Sequence, residues 1–182
     1  MISVMACIAT YGLFAWASVR VFVTNDAASS KTKRLVGVFG SLAAIYFISL
    51  SALSDAPQWR KVLAVGLFFG AIALFLWAIS QFSSDEIGFA GSGRPPEKLV
   101  TTGPYQLIRH PIYVAYVLGW LGGAAASMTL FQALVSFLFV TIMGAIYVRS
   151  ALLEERALLT SELANEYGNY LNATKRFVPL LV

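Results

Sequence analysis

The sequence predicts an all-α, polytopic integral membrane protein: five transmembrane helices with the N-terminus outside and the C-terminus inside, then a cytoplasmic amphipathic helix. Three observations predict it. Of the 182 residues, 58% are hydrophobic and only 12% are charged, whereas soluble domains carry about 25% charged residues. The apolar residues come in long uninterrupted blocks and not as one-sided stripes; a bilayer-spanning helix needs roughly 20 of them. The basic residues are shared very unevenly among the intervening segments.

Four blocks are plain, at about Ser3–Val23, Leu35–Leu53, Val62–Phe82 and Thr129–Val148. A fifth, Ile112–Ala126, rises only about 22 Å against a hydrocarbon core of about 30 Å. As a span it must either extend into flanking polar sequence or begin below the membrane surface under a cover of protein. The first block reads as a span and not as a removed signal peptide, since no basic residue precedes it and no small-residue cleavage site follows. Cys7 is the only cysteine, which excludes a disulfide framework and leaves packing as its role.

Five spans put the termini on opposite sides. With the N-terminus outside, the inner segments hold Lys31, Lys33, Arg34, Arg94, Lys98, Arg109, Arg149, Arg156, Lys175 and Arg176. The outer loop then holds only Arg60 and Lys61, the asymmetry expected of inward-facing loops. Arg20 can snorkel from the inner end of the first span. The net charge of +4 therefore reflects topology, and nothing points to nucleic acid.

Two regions follow: residues 1–82, three spans with almost no chemistry, and residues 83–182, a loop, a two-helix hairpin and a C-terminal segment. Asn25–Arg34 reads as a polar inner loop and Ser54–Gln58 as a short outer turn, with Trp59 an interface anchor beside it. Gly88, Gly91 and Gly93 superficially suggest a nucleotide-binding loop. That reading needs a preceding strand and a following helix, so the segment is expected to be a flexible loop, stiffened by Pro95 and Pro96. From Arg149 onward, Leu152, Leu153, Leu159, Leu163, Tyr167 and Tyr170 fall roughly on one side of a helix. It is expected to continue the fifth span along the interface or over a site, with Asn165 suited to ending or bending it.

Chemistry concentrates in two places. In Gly103-Pro104-Tyr105-Gln106-Leu107-Ile108-Arg109-His110-Pro111-Ile112-Tyr113, Pro111 suits the first position of a helix and holds Arg109 and His110 at its mouth. A helix start and a guanidinium fork both favour an anionic group such as the carboxylate of an amino-acid-like cofactor. Glu154 and Glu155 form the second cluster; they can bind an amino group or ribose hydroxyls, or pair with Arg109, Arg149 or Arg156. Because only a short turn joins the fourth and fifth spans, they form an antiparallel hairpin that brings His110 and Glu154 together. Taken singly, each residue has an ordinary reading: interfacial charges, a solvated helix face, aromatic-belt tyrosines. Their joint occurrence suggests one site.

Arg109-His110-Pro111-Ile112-Tyr113, preceded by Gly103-Pro104-Tyr105 and followed by Glu154-Glu155, resembles the isoprenylcysteine carboxyl methyltransferase family, which is related to phospholipid N-methyltransferases. The tail Glu166-Tyr167-Gly168-Asn169-Tyr170, then Arg176-Phe177-Val178-Pro179, resembles that family's C-terminal segment, so the likeness covers about residues 98–179. Ala115 and Asn165 depart from the family's usual glycines. The resemblance implies an S-adenosyl-L-methionine pocket with Tyr105, His110, Tyr113, Glu154, Glu155 and Tyr167 as cofactor-binding residues. It implies Arg109 and Glu155 as catalytic residues and no metal. The acceptor would be a prenylated cysteine carboxylate or a similar lipidic group drawn from the membrane. The compact form resembles prokaryotic members, which implies a cytoplasmic inner membrane with the site facing the cytoplasm. Other readings are a sterol-reductase-like oxidoreductase using NADPH, a phospholipid or small-thiol methyltransferase, and a non-enzymatic scaffold.

Overall fold

In the computed structural model, residues 1–22, 30–82 and 98–179 are described, with side chains described outside 18–36. The described residues form α1 (Ile2–Phe22), α2 (Ser30–Leu53), α3 (Gln58–Ile79), a 3-10 turn at Gly103–Gln106, α4 (Pro111–Ala124), α5 (Leu130–Leu159) and α6 (Ala164–Ala173). The expected all-helical class is what the structure has. Gly88, Gly91, Gly93, Pro95 and Pro96 lie outside the described residues, as does 25–29 of the expected inner loop; Lys31–Arg34 belong to the start of α2.

Most helices bury one stripe. On α3 it is Ala64, Phe68, Ala71, Phe75 and Ala78, at the alternating spacing of a single helix face. Cys7, Tyr11, Phe14 and Ala17 do the same for α1, and Ala43, Phe47 and Leu50 for α2. Cys7 packs in the core as expected. The outward faces remain apolar: Phe69 is 74% exposed, Phe137 71% and Leu134 59%. A water-soluble monomer rarely shows so much contiguous apolar surface. Gln58–Ile79 and Leu130–Leu159 are long and apolar enough to cross a membrane, and shorter apolar helices cover Ile2–Ala17, Gly37–Leu53 and Pro111–Ala124.

The short helix α4 is different, because more than half of its residues are buried and only Leu121 on it is exposed. Pro111, Tyr113, Ala115, Tyr116, Gly119, Trp120, Gly122 and Gly123 are all buried, and α1, α2, α3 and α5 all touch it. Its glycines explain how. A Cβ on Gly119 would meet the Phe14 ring at 2.7 Å, one on Gly122 the Phe68 ring at 2.9 Å, and one on Gly123 the Phe47 ring at 2.6 Å. Three neighbouring helices thus each push an aromatic ring into a gap left by a missing methyl group. We predict that Gly123→Val costs about 1–3 kcal/mol through overpacking. Gly144→Ala on α5, where a Cβ meets open space, is expected to be neutral or slightly stabilising. Thermal unfolding in detergent micelles checks both.

Local chemistry sets the hairpin. Thr129 caps α5 in a reciprocal capping box with Gln132. Ser54 Oγ donates to the Ala126 carbonyl at 2.8 Å, and Arg60 donates to that of Ser127, so the α4–α5 turn is tied to the turn before α3. The 30 residues of α5 rise about 45 Å, well beyond a hydrocarbon thickness. Its last turns, carrying Glu154 and Glu155, extend past the apolar block that ends near Val148.

One expectation is corrected. The helix does not run on to a bend at Asn165, which lies inside α6. It breaks at residues 160–163, where Thr160 Oγ1 donates to the Ala157 carbonyl at 3.1 Å and Ser161 Oγ to that of Leu158 at 2.8 Å. These hydroxyls compete with the amides that would continue the helix.

Candidate active site

At one end of the bundle, three segments converge: the chain entering α4, the last turns of α5, and the chain leaving α6. Backbone pairing joins the first and third. The Arg109 amide donates to the Lys175 carbonyl at 2.8 Å and the His110 amide to that of Arg176 at 3.1 Å, beside a parallel bridge between Ile108 and Lys175. Residues 174–177 thereby form a strap across the mouth of α4. Gly103 enables the approach to it, with φ of 59° and its Cα against the Gln81 side chain.

Glu155 is the hub of the site. It is 4% exposed, and its Oε1 accepts from Arg109 Nε at 3.0 Å, Arg176 Nε at 3.0 Å and His110 Nε2 at 3.1 Å. Its Oε2 accepts from Arg176 Nη2 at 2.7 Å. Two guanidiniums and an imidazole around one carboxylate favour its charged form. In return, the hydrogen bonds to Glu155 raise the Arg176 pKa above its ordinary value, so that pair stays ionised.

Arg109 is similarly committed. Its Nη1 donates to the carbonyls of Leu171, at 3.2 Å, and of Thr174, binding the exposed carbonyl end of α6. Of the pairings open to Glu154 and Glu155, the structure brings Arg109 to Glu155; Arg149 and Arg156 take no part in the ion pairs of the described residues.

Glu154 faces the other way. It is 29% exposed at the side chain, accepts from the Tyr113 hydroxyl, and lies 3.7 Å from His110 Nδ1. The His110 ring is therefore held between two carboxylates; it stacks on Tyr113 at 5.7 Å, and the Phe177 ring lies tilted against it at the same distance. Tyr113 stacks in turn on Tyr147 at 5.4 Å, and Tyr147 accepts from Trp120 Nε1 at 3.0 Å. A column of rings thus runs from the strap into the bundle core.

The two outlying tyrosines close the rim. Tyr105 is buried, edge-on to Phe82 at 5.7 Å, and its carbonyl accepts from the Tyr170 hydroxyl at 2.6 Å. Tyr167 is 2% exposed and close enough to Glu155 and Arg109 to feel both charges. Burial raises both phenol pKa values well above the ordinary range, so they stay neutral.

All seven residues singled out in the sequence, Tyr105, Arg109, His110, Tyr113, Glu154, Glu155 and Tyr167, meet in this one region. Arg176, which carries half the charge opposite Glu155, and Tyr147, Trp120 and Phe177 join them here without being candidates on sequence alone. The Arg176-Phe177-Val178-Pro179 motif was the available signal for two of them. Among the described residues no group of three or more His, Cys, Asp or Glu side chains gathers as a metal cluster would.

A family model for phospholipid methyltransferases matches residues 59–161, from the start of α3 to just beyond α5. The chain belongs to this family. It is the isoprenylcysteine carboxyl methyltransferase-like grouping expected from the motifs around His110 and Glu154. The match ends before α6, so Arg176 and the strap lie outside it. A nickel-cobalt-cadmium resistance protein from Alcaligenes xylosoxydans is 28% identical over 158 residues, 82% of this chain and 67% of that protein. A cobalt-zinc-cadmium resistance protein from Cupriavidus metallidurans is 38% identical over 90 residues, 50% of this chain and 39% of that protein. Both names describe a phenotype and no reaction. No solved structure matches the chain.

Proposed function

We propose that this chain is a five-span membrane methyltransferase, N-terminus outside, that moves the methyl group of S-adenosyl-L-methionine to a lipidic acceptor at the cytoplasmic face. One observation carries the reading: α4 and α5 bring His110, Tyr113 and Glu154 to one surface, roofed by the strap, in a chain of the phospholipid methyltransferase family. The span count is supported by length, since α1 and α2, of 21 and 24 residues, rise about 31 and 36 Å. The fourth span is short but sheathed by its neighbours. The basic residues of 98–110 and of the strap all lie at the end that carries the site, consistent with an inward orientation.

The residues suit the cofactor in kind. Tyr113 and the His110 ring offer aromatic faces to a sulfonium, a contact worth about 0.5–2 kcal/mol. Glu154 keeps exposed oxygen for an amino group or ribose hydroxyls, and Arg176, 31% exposed, keeps an edge for a carboxylate. Glu155 and Arg109 are turned into the protein, so both are positioning residues in this reading and touch neither reactant. The cofactor supplies a methyl group already activated on sulfur, and the chain's task is to orient the reactants and exclude water.

A lipid-borne carboxylate is the acceptor that demands least of these side chains. It is ionised at neutral pH and needs no base, and His110 and Glu155 are occupied with each other. An amine acceptor must shed a proton, and Glu154 is the one site carboxylate with exposed oxygen.

The test is a methylation assay with cofactor labelled in the methyl group, purified protein and a total lipid extract. Label is expected in the organic phase, in a product that mass spectrometry identifies as a methyl ester. Label confined to small hydrophilic acceptors would overturn the lipidic assignment. S-Adenosylhomocysteine is expected to raise the melting temperature; stabilisation by NADPH alone would replace methyl transfer with reduction.

A further inference from the structure

We infer that the bundle end opposite the candidate active site carries a groove for one acyl chain of an anionic phospholipid, its headgroup seated on Arg60 and Lys61. The groove lies between the first turns of α3 and α5, over the last turn of α4, with a volume of about 320 Å³. That is the small end of the range of about 300–1,000 Å³ for ligand sites, room for one chain. Leu63, Leu121, Phe137 and Val140 give it apolar walls. Ser127 and Ser136 also line it, but their hydroxyls bond each other at 2.7 Å, so the polar atoms at its base need no ligand.

Recognition is left to the rim. Trp59 is 62% exposed, with the Arg60 guanidinium 5.2 Å from its ring centre. Arg60 donates to the Ser127 carbonyl, yet neither it nor Lys61 enters an ion pair among the described residues. The nearby acidic group is Asp55, exposed on the preceding turn. Two cations and one anion leave this rim positive, directly above an apolar trough. An anionic headgroup with its chain in the trough complements both features; a neutral lipid complements only the second. The site is distinct from the methyl-transfer region, since Val140 and Glu154 are separated by about 21 Å along α5. It does not depend on the proposed reaction, and its readout is binding.

The experiment titrates detergent-solubilised protein with phosphatidylglycerol or phosphatidylcholine bearing brominated tails and records the tryptophan quenching that Trp59→Phe removes. Phosphatidylglycerol is expected to half-saturate this component at roughly 5- to 30-fold lower concentration, the gain typical of one to two basic residues near a charged surface. Ala133→Phe, which fills the trough, should abolish saturation with both lipids. Arg60→Gln should bring the two curves closer and Arg60→Gln combined with Lys61→Gln should merge them, while Arg60→Lys should keep them apart. Equal curves in the unaltered protein would overturn the inference. So would saturable quenching that survives Ala133→Phe, or an Arg60→Lys variant that behaves like Arg60→Gln.

Discussion

Replacing Glu155 by alanine is expected to abolish methyl transfer and to lower stability by about 3–5 kcal/mol, the cost of breaking a buried ion pair from one side. The size follows from what is left behind. Arg109 is 7% exposed at the side chain and its charge would face no carboxylate; Arg176, at 31%, can turn to solvent and contributes less. The backbone strap would lose its anchor as well, because Arg176 and the end of α6 are both held through this carboxylate, the latter by way of Arg109. Glu155→Gln keeps the shape but sets an amide N–H against a guanidinium, so a smaller loss of about 1–3 kcal/mol is expected. Thermal unfolding in micelles ranks the variants. Limited proteolysis supplies the readout specific to the strap: cleavage near Lys175 should accelerate in Glu155→Ala. If that variant keeps its melting temperature and its strap, the hub described above is wrong.

How far the sequence foretold this arrangement depends on which signal each element leaves. Helices α1, α2, α3 and α5 announce themselves as apolar blocks, and Thr129 and Pro111 mark helix starts by capping chemistry that is local. The hairpin also follows from local facts, a short turn between two helices, and it is enough to bring His110 and Glu154 together; that Glu155 makes the closer contact is not legible from it. The central position of α4 left no such trace. A helix that is apolar on every face has no preferred side in its sequence, and only the rings opposite Gly119, Gly122 and Gly123 show why it is small. The break after α5 comes before Asn165, the residue whose backbone preference marks a bend, because the hydroxyls of Thr160 and Ser161 compete for the last helical carbonyls. In the sequence, Arg176 is an inward charge and the start of a tail motif, with no partner assigned to it. Its role depends on a parallel bridge between residues far apart in the chain, and no periodicity encodes that.

Glu154→Gln separates the two carboxylates that the sequence presents as a pair. Glu155 faces inward and holds the scaffold; Glu154, one residue earlier, is turned by the helix toward Tyr113 and keeps nearly a third of its side chain exposed. Its charge is therefore compensated partly by solvent, and the folded protein should tolerate its removal with little change in melting temperature. A ligand with a cationic amino group or ribose hydroxyls would lose a charge-assisted hydrogen bond, worth about 1.5–3 kcal/mol. Binding of S-adenosylhomocysteine, measured by titration calorimetry, should weaken by roughly 10- to 150-fold while stability stays near that of the unaltered protein. Tyr113→Phe tests the same contact from the other side. Without the phenol, Glu154 is freer to rotate, and a loss of under about tenfold is expected, in line with one neutral hydrogen bond. The opposite pattern, a destabilised Glu154→Gln that still binds the ligand normally, would move Glu154 from the ligand surface to the scaffold and leave the cofactor reading without its principal contact.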